Sequence, residues 1–584
     1  MSDNDNISAA RPRFVLAIFV LVMAALMWRV VDLQLLSKSF LQQQGDARYL
    51  RVVTVPASRG TITDRYGEPL AVSTPVDSVW ANPRELMAAR DRWKELARGL
   101  DIPYKRFEAL VERHQQREFV YLRRRVHPGL AGKVMALQIP GVSLQREFRR
   151  YYPAGEVTAH VLGFTNVDDA GQEGLELAYD HWLLGEPGTK RVIKDRLGRI
   201  VENVENIRAP VHGRNLMLSI DRRLQYLAYR ELKAAVRKHK AKSGSVVVLD
   251  ARTGEVLAMA NQPAYNPNNR GSLRGDYYRN RAVTDVFEPG STIKPFTIGV
   301  ALASGKYSAS TVLNTSPGYM RVGRNTIRDI HNYGSIDVTT VIQKSSNVGT
   351  SKIALSLEPE KLWEMFSGVG FGVATGTGFP GEASGVLPGH WRWHSIDQAT
   401  IAFGYGLSVT PLQLARAYMV LAADGELRPV TFEYQPTVSE GIPVMTPEVA
   451  RQVRTMLETV VNDGGTGQLA RVAGYRTAGK TGTVRKSGVS GYQEDRYTSM
   501  FAGMVPATNP RLVMVVTIDE PSAGDYYGGV IAAPVFASVM AGALRLLDSA
   551  PDDLNSRGRE LRLRNAAASG DDAPRVALSL PGGT

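Results

Sequence analysis

The sequence contains no cysteine among its 584 residues, so it can form neither a disulfide framework nor a thiolate nucleophile. Its nine histidines are scattered along the chain, and we expect no metal site. Acidic residues are also in deficit, which leaves a formal net charge of +13. No nucleic-acid recognition motif accompanies this charge, so we expect the arginines to face anionic lipid, other polyanions or nearby carboxylates rather than nucleic acid.

Long apolar runs are rare, and the one that stands out lies near the start of the chain. Phe14–Trp28 is uninterrupted and apolar, with arginines on both sides, and leucines and valines extend its apolar face. No small residues that would suit a cleavage site follow the run, so an uncleaved signal anchor over 14–36 is favoured over a cleaved signal peptide. The flanking arginines predict a cytoplasmic tail over 1–13, with the rest of the chain outside the cytoplasm.

The length predicts several domains beyond this anchor. Residues 45–212 have the pattern of a mixed module of short strands and charged helices, with a turn at Asp64–Gly67. No set of residues in this module suggests chemistry, and we expect a non-catalytic pedestal or dimerisation-type domain. Residues 213–547 form a second domain, and the composition of 548–584 predicts a disordered tail.

The second domain has strand patterns at both ends and helical patterns between them. This arrangement predicts one antiparallel sheet with helices packed on it, an α/β sandwich. The predicted strands are Ser245–Asp250, Glu255–Met259, Met500–Val505 and Leu512–Ile518, with another at Lys480–Thr483, and the clearest helices are Pro411–Ala422 and Pro447–Val461.

Ser291 is the one serine in the chain with a lysine three residues further on, Lys294. The apolar run Phe296–Ala303 predicts a buried helix, and Pro295 places its start near Ser291 because proline fits the first helical turn. Residues three apart share a helical face, so the amine of Lys294 is predicted to reach the serine hydroxyl. A hydroxyl beside a buried amine is a candidate activated nucleophile.

Two further segments follow in a specific order. Ser345 and Asn347 form a Ser-x-Asn before a helical pattern, and Lys480–Gly482 is a Lys-Thr-Gly. Each motif is weak alone, because Lys-Ser-Gly and Ser-x-Asn also occur elsewhere in the chain. The ordered triple that begins at Ser291 is far more specific, and it is the set typical of penicillin-binding proteins and class A β-lactamases.

On these motifs, and on three more, the chain resembles class B penicillin-binding proteins, the D,D-transpeptidases of the division-specific (FtsI, PBP3) type. The additional matching segments, within a similarity that covers about residues 14–545, are Arg59–Gly67, Gly171–Glu176 and Tyr405–Pro411.

The resemblance implies a penicillin-binding transpeptidase fold that cross-links peptidoglycan stem peptides during septal wall synthesis. It implies acylation by β-lactams, a location in the inner membrane at the division septum, and a partner of the FtsW glycan-polymerase kind among the division membrane proteins. A serine β-lactamase or a non-enzymatic β-lactam sensor of the same fold is the alternative. The extra module of 45–212, the anchor and the lack of an identifiable deacylating glutamate separate the chain from a β-lactamase.

The resemblance also assigns roles in acyl transfer. Ser291 is the expected nucleophile, Lys294 the group that accepts its proton, and Ser345 a proton relay to the leaving amine. Asn347 is expected to contact the substrate amide. For Lys294 to act at neutral pH its pKa must fall by roughly three units, which burial and a neighbouring ammonium, that of Lys480, could supply. Which lysine carries the charge stays open.

The remaining residues are expected to hold the substrate. Lys480, Thr481, Gly482 and Thr483 suit recognition of a terminal carboxylate through charge and hydroxyl donors. The backbone amides of Ser291 and Thr483 are the expected oxyanion hole. The reaction requires no cofactor.

Three competing motifs are interpreted as structural. Gly474–Thr481 fits the phosphate-loop formula, but the glycine-rich polar segment after it cannot begin a helix, so no nucleotide site is expected. Gly376–Gly381 fits a dinucleotide formula, yet Pro380 favours a plain loop. Lys242 is expected only to mark a strand start, and Lys486–Gly488 to lie in a mobile loop.

Overall fold

The computed structural model describes residues 5–39, 50–194, 200–271, 275–488 and 491–554. Most of the tail predicted over 548–584 therefore lies outside the described residues, as do residues 1–4 of the predicted cytoplasmic tail. The chain divides into two compact units: the first comprises Met1–Arg59, Ser73–Arg149 and Leu184–Gly213, and the second comprises Gly60–Val72, Arg150–Leu183 and Arg214–Thr584.

The helices and strands are numbered in chain order. The α-helices are Asp5–Val31 (α1), Pro83–Leu86 (α2), Trp93–Gly99 (α3), Tyr104–Arg113 (α4), Pro128–Ala136 (α5), Ala159–Leu162 (α6), Gly174–Ala178 (α7), Asp180–Leu183 (α8), Arg222–Lys238 (α9), Arg281–Thr284 (α10), Lys294–Ala303 (α11), Val338–Lys344 (α12), Asn347–Leu355 (α13), Pro359–Gly368 (α14), Ser395–Ile401 (α15), Pro411–Ala422 (α16), Pro447–Val461 (α17) and Gly528–Leu546 (α18). The strands are Leu50–Val55 (β1), Ile62–Thr63 (β2), Pro69–Ala81 (β3), Val120–Val126 (β4), Val142–Tyr151 (β5), Phe164–Thr165 (β6), Gly171–Glu173 (β7), Gly188–Lys194 (β8), Ile200–Arg208 (β9), Leu216–Met217 (β10), Ser243–Asp250 (β11), Val256–Gln262 (β12), Val312–Asn314 (β13), Tyr319–Val322 (β14), Asn325–Arg328 (β15), Ser335–Asp337 (β16), Glu426–Leu427 (β17), Ile442–Pro443 (β18), Ala478–Gly488 (β19), Gly491–Val505 (β20) and Leu512–Asp519 (β21).

The predicted anchor is helical. Helix α1 continues into a π-helical turn at Asp32–Leu36, and the 25 residues Pro12–Leu36 are apolar and unburied. This length suffices to cross a bilayer core of about 30 Å. A second long apolar helix, α18, is less hydrophobic, is 56% buried within the protein and belongs to the core of the second unit. The amino-terminal helix therefore fits a single-pass membrane anchor.

The first unit has its own apolar core and a separate small sheet. Trp93 is fully buried, packs edge-on against Phe107, and donates its indole N–H to the carbonyl of Leu86 at 2.9 Å. Helices α2 to α5 and strands β3 to β5 supply this core. Strands β1, β8 and β9 form an antiparallel sheet in that order.

The second unit is built on a five-stranded antiparallel sheet in the order β12-β11-β21-β20-β19. Successive side chains of a strand point to opposite faces, so Val246 and Val248 enter one core cluster while Val247 and Leu249 enter another. Helices α9 and α18 cover the first face, and α11, α16 and α17 contribute to the cluster on the second. The predicted α/β sandwich is confirmed.

The predicted helices of this unit are also confirmed, and their ends have clear causes. Thr410 caps α16, because its hydroxyl accepts the N–H of Gln413, and Pro411 occupies the first turn. Thr446 caps α17 in the same way, again followed by proline. Both helices have the bounds expected from the sequence.

One local prediction is wrong. Lys486–Gly488 does not form a loop but is the end of β19, where Ser487 pairs with Tyr492 of β20. The Lys486 amine lies 2.8 Å from carboxylate oxygens of both Asp519 and Glu520. The polar composition is explained by these ion pairs at the end of a long hairpin.

Two of the motifs noted in the sequence hold the second unit together. The fully buried Glu176 accepts a 2.6 Å hydrogen bond from Arg150, whose guanidinium also donates to the carbonyl of Gly60 at 2.8 Å. The Asp64 carboxylate accepts the N–H groups of Tyr66 and Glu68 and so fixes the predicted turn. These hydrogen bonds stabilise the fold of the second unit.

Candidate active site

The turn Gly290–Ile293 is a 3-10 helix that leads directly into α11 and carries Ser291. Ser291 is half-buried, whereas the next three residues are buried. Gly290 has a φ of +52° and donates its N–H to the carbonyl of Gly404 at 3.0 Å. A Cβ on Gly404 would lie 2.1 Å from the Gly290 oxygen, so both positions require glycine for the turn to pack where it does.

Strand β19 approaches the same turn from the edge of the sheet. A Cβ on Gly482 would lie 2.9 Å from Cγ2 of Thr292, and a Cβ on Gly290 would lie 2.3 Å from Cγ2 of Val484. The absence of side chains at the two glycines lets the strand and the turn come into close contact. The third and first motifs are thereby brought together.

Ser345 lies in the junction between α12 and α13, where the chain reverses. It adopts a left-handed conformation with φ 61° and ψ 38°, which is uncommon for a residue with a side chain. The next residue, Ser346, is buried and caps α13 by accepting the N–H of Gly349 at 2.8 Å. Strained backbone of this kind costs of order 1–3 kcal/mol and often marks functional sites.

The side chains of the three motifs meet at the Ser345 hydroxyl. The Lys294 amine donates to the Ser345 carbonyl at 2.6 Å and to Oδ1 of Asn347 at 2.8 Å, and lies 3.2 Å from the Ser345 hydroxyl. The Lys480 amine lies 2.9 Å from the same hydroxyl. The two amines are therefore bridged by one serine.

The predicted contact between the Lys294 amine and the Ser291 hydroxyl is not made in this structure. Within the described residues the three hydrogen bonds of the amine go to Ser345 and Asn347. Ser291 lies three residues before Lys294, on the turn that leads into α11. The sequence thus predicted that Lys294 lies near Ser291, but not that its amine donates hydrogen bonds to Ser345 and Asn347.

Burial dominates the electrostatics of both lysines, whose side chains have no solvent-exposed surface. Removing water from an ammonium favours its neutral form. Burial lowers the pKa of Lys480 to about 7. The pKa of Lys294 is well below its ordinary range because of burial and the nearby Lys480 charge, although Asp329 acts in the opposite direction.

Asp329 is a residue of this site that the sequence analysis missed. Its carboxylate accepts the hydroxyl of Ser346 at 2.6 Å and the N–H groups of Asn347 at 2.5 Å and Val348 at 3.0 Å. A carboxylate is stabilised at the amino end of a helix, and here it fixes the start of α13 and hence Asn347. Its place in the sequence, directly after a strand pattern, carried no motif that could have identified it.

The substrate-binding residues predicted on β19 lie beside this cluster. The hydroxyl of Thr481 is 2.8 Å from that of Thr466, and the hydroxyl of Thr483 accepts the N–H of Gly528 at 3.0 Å. Thr483 is half-buried. Because β19 is the last strand in the sheet order, the edge that faces the Ser291 turn is not paired with a strand in the described residues.

A second carboxylate overlooked in the sequence is Glu288, three residues before the candidate nucleophile. Its Oε1 accepts the N–H of Gly406 at 2.8 Å and the hydroxyl of Tyr492 at 3.0 Å. Burial raises the pKa of this carboxyl group. The Tyr492 ring packs edge-on against Tyr405, 5.6 Å away, so the end of the β19–β20 hairpin is attached to the turn before Ser291.

These groups are suited to acyl transfer. Ser291 has a half-exposed hydroxyl on the turn before α11. The buried amine of Lys294, with its lowered pKa, can accept a proton. The Lys480 amine, when charged, and the threonine hydroxyls of β19 can bind a carboxylate. In the part of the chain that the structure describes, no group of three or more His, Cys, Asp or Glu side chains could hold a metal ion.

Known proteins share this arrangement of domains and this fold. Residues 244–541 match the family model of the penicillin binding protein transpeptidase domain, and residues 54–218 match that of the penicillin-binding protein dimerisation domain. The chain is 46% identical over 542 residues to the peptidoglycan D,D-transpeptidase FtsI of Escherichia coli K12, covering 92% of each chain. It is 44% identical to the probable peptidoglycan D,D-transpeptidase PbpC of Pseudomonas aeruginosa, covering 93% of this chain and 96% of that protein.

A solved structure supports the fold of the second unit. The transpeptidase domain of Burkholderia pseudomallei penicillin-binding protein 3 is 44% identical and superposes with a TM-score of 0.54. The match covers 57% of this chain and 97% of that structure.

Proposed function

The chain belongs to the penicillin-binding transpeptidases that carry an amino-terminal dimerisation domain, the FtsI type, and from this we propose that it is a peptidoglycan D,D-transpeptidase. The single observation that best supports the chemistry is that the Ser345 hydroxyl accepts hydrogen bonds from the buried amines of both Lys294 and Lys480. The site roles below are part of this proposal.

Acylation begins at Ser291. Its oxygen attacks the carbonyl carbon of the penultimate D-alanine of a stem peptide that ends in D-Ala-D-Ala, and its proton passes to the neutral amine of Lys294. The Ser345 hydroxyl, hydrogen-bonded to the amines of Lys294 and Lys480, delivers a proton to the departing D-alanine amine. The products are an ester on Ser291 and free D-alanine.

The ester then reacts with an amine of a neighbouring stem peptide. That amine loses its proton to the same relay, attacks the ester carbonyl and releases Ser291, so that the cross-link forms. The side-chain amide of Asn347, oriented by Lys294 and Asp329, is placed to bind the substrate amide.

Binding of the substrate uses the edge of β19. The cation of Lys480 and the hydroxyls of Thr481 and Thr483 bind the terminal carboxylate, and Gly482 keeps the strand close to the nucleophile turn. The backbone N–H groups of Ser291 and Thr483 form the oxyanion hole, a contribution of about 3 kcal/mol per donor in other enzymes.

β-Lactams are expected to acylate Ser291 as mimics of the peptide. A serine β-lactamase or a β-lactam sensor is less well supported, because the relatives are named as transpeptidases and a dimerisation domain precedes the catalytic one. A β-lactamase would hydrolyse penicillin with rapid turnover, whereas a sensor would be acylated without any peptide transfer.

The apolar helix Pro12–Leu36 supports a single-pass anchor in the cytoplasmic membrane. We place the catalytic domain outside the cytoplasm, at the division septum, with an FtsW-type glycan polymerase and other division membrane proteins as partners. This location is inferred from the FtsI-type relatives and not from a contact within the chain.

The test uses the full-length protein in detergent. Mass spectrometry after reaction with penicillin should locate the adduct on the peptide containing Ser291, and the same protein should release D-alanine from a D-Ala-D-Ala stem peptide and join it to an amine acceptor. Capture of penicillin by a Ser291→Ala protein would refute the assignment of the nucleophile. Penicillin capture with no peptide transfer would instead identify a sensor.

A further inference from the structure

Strands β14 and β15 form a two-stranded hairpin with an outer face rich in cations. Val322 and Ile327 are buried in a small apolar cluster, so the other face of the hairpin is turned outward. The residues paired on this outer face are Tyr319 with Arg328 and Arg321 with Thr326, and all four are exposed.

The guanidinium groups of this face have no anionic partner in the part of the chain that the structure describes. Among the described residues, no carboxylate lies within ion-pair distance of Arg321 or Arg328. The nearest acidic residue in sequence, Asp329, is instead engaged at the start of α13. The Arg328 guanidinium lies over the Tyr319 ring, 5.3 Å from its centroid, and this contact holds it against the face.

The hairpin is attached to the reaction centre through its backbone. The carbonyl of Arg328 accepts the side-chain N–H of Asn347 at 3.1 Å, and Asn347 accepts the Lys294 amine through its other side-chain atom. Two hydrogen bonds therefore connect the hairpin to the proton acceptor. The hairpin therefore borders the site at Asn347, the residue expected to contact the substrate amide.

We propose that the outer face of this hairpin, through Arg321 and Arg328, binds a carboxylate of the donor stem peptide upstream of its D-Ala-D-Ala end. The inference rests on the proposed function. Guanidinium groups match carboxylates in geometry and keep their charge at any working pH. In the proposed function the terminal carboxylate binds at Lys480, so the hairpin adds contact with a second carboxylate and thereby selects for the longer peptide rather than for its last two residues.

The test compares two peptides and three variants of the full-length protein in detergent. One stem-peptide analogue carries a free carboxylate upstream of D-Ala-D-Ala, and in the other that group is amidated. The variants are Arg321→Gln, Arg328→Gln and, as the matched control, Arg230→Gln. Arg230 is an exposed arginine of α9, on the other face of the sheet, and is paired with Glu231.

The measured quantity is the KM for release of D-alanine without an acceptor. For wild type we expect the acidic peptide to be preferred, and for each hairpin variant its KM to rise about 2- to 5-fold, as for one exposed charge pair. The KM for the amidated peptide should not change, nor should the rate of acylation by labelled penicillin. Arg230→Gln should match wild type throughout, and added salt should weaken the preference of wild type.

Three results would overturn the inference. The first is an equal KM for both peptides with wild type, and the second is a rise in KM for both peptides in the hairpin variants. The third is an unchanged KM for the acidic peptide in both hairpin variants. If the same variants slow cross-linking to an added amine acceptor, the face is assigned to the acceptor strand instead. Failure of the proposed function is distinguishable, because wild type would then release no D-alanine from either peptide.

Discussion

The dependence of acylation on pH tests the electrostatics of the two buried amines directly. An ordinary lysine, with a pKa near 10.4, would be neutral in only about 0.1% of molecules at pH 7.5. Burial lowers the pKa of Lys480 to about 7, at which roughly three quarters would be neutral at that pH, and the pKa of Lys294 is also strongly lowered. For Lys480 the shift increases the neutral population about 600-fold and corresponds to about 5 kcal/mol.

The sign of the dependence follows. As the pH falls, the Lys294 amine gains a proton and can no longer accept one from Ser291, so the second-order rate of acylation should fall towards acid pH. As the pH rises, the Lys480 amine loses the charge that binds the carboxylate, so the rate should pass through a maximum well below the usual pKa of lysine. Because the two amines share the Ser345 hydroxyl, the observed midpoints belong to the pair.

A stopped-flow measurement with a chromogenic β-lactam from pH 5 to 10 provides the assay, with thermal unfolding recorded at each pH as the control for integrity. The pH profile of the Asp329→Asn variant provides an independent test. Asp329 raises the pKa of Lys294, so its neutralisation should move the acid limb of the profile to lower pH. A rate that rises only above pH 9 in wild type would show that both amines behave as solvated lysines and would refute the reasoning.

Three further substitutions probe the packing around the site. Gly404→Ala should reduce acylation severely, because its Cβ would lie 2.1 Å from a backbone oxygen of the nucleophile turn, and penicillin capture measures this. Tyr492→Phe removes the hydroxyl that Glu288 accepts, and we expect a loss of about 1 kcal/mol in stability by thermal unfolding, with β-lactam acylation slowed only a few-fold. Glu176→Ala removes the carboxylate from a buried ion pair with Arg150 and should destabilise the protein by about 3–5 kcal/mol in denaturant unfolding, whereas a loss below 1 kcal/mol would contradict the burial of this pair.

The sequence was sufficient where a local signal carried the information. Helices α16 and α17 were predicted with their bounds, because a capping threonine followed by proline marks each start. The sheet strands were predicted from dense apolar β-branched runs between turns. The candidate site residues were found because three short motifs occur in a specific order, and the structure brings their lysines to Ser345.

Features that depend on contacts across the chain could not be predicted. The carboxylates of Asp329 and Glu288 acquire their partners only when a distant helix or hairpin packs against them. The left-handed conformation of Ser345 results from joining two helices and has no residue signature. The polar composition of Lys486–Gly488 predicts a loop, because composition alone cannot distinguish a solvated segment from a strand with ion-paired side chains.

The buried lysines make reactivity depend on the integrity of the whole domain. Ser291, Ser345 and Lys480 come from segments far apart in the chain, and the amines lose their protons readily only while packed side chains exclude water from them. In a partly folded molecule the lysines would be solvated and charged, and Ser291 would not be activated. Penicillin labelling of this protein therefore reports the fraction of molecules with a correctly assembled core, and can serve as a conformational assay for variants throughout the second unit.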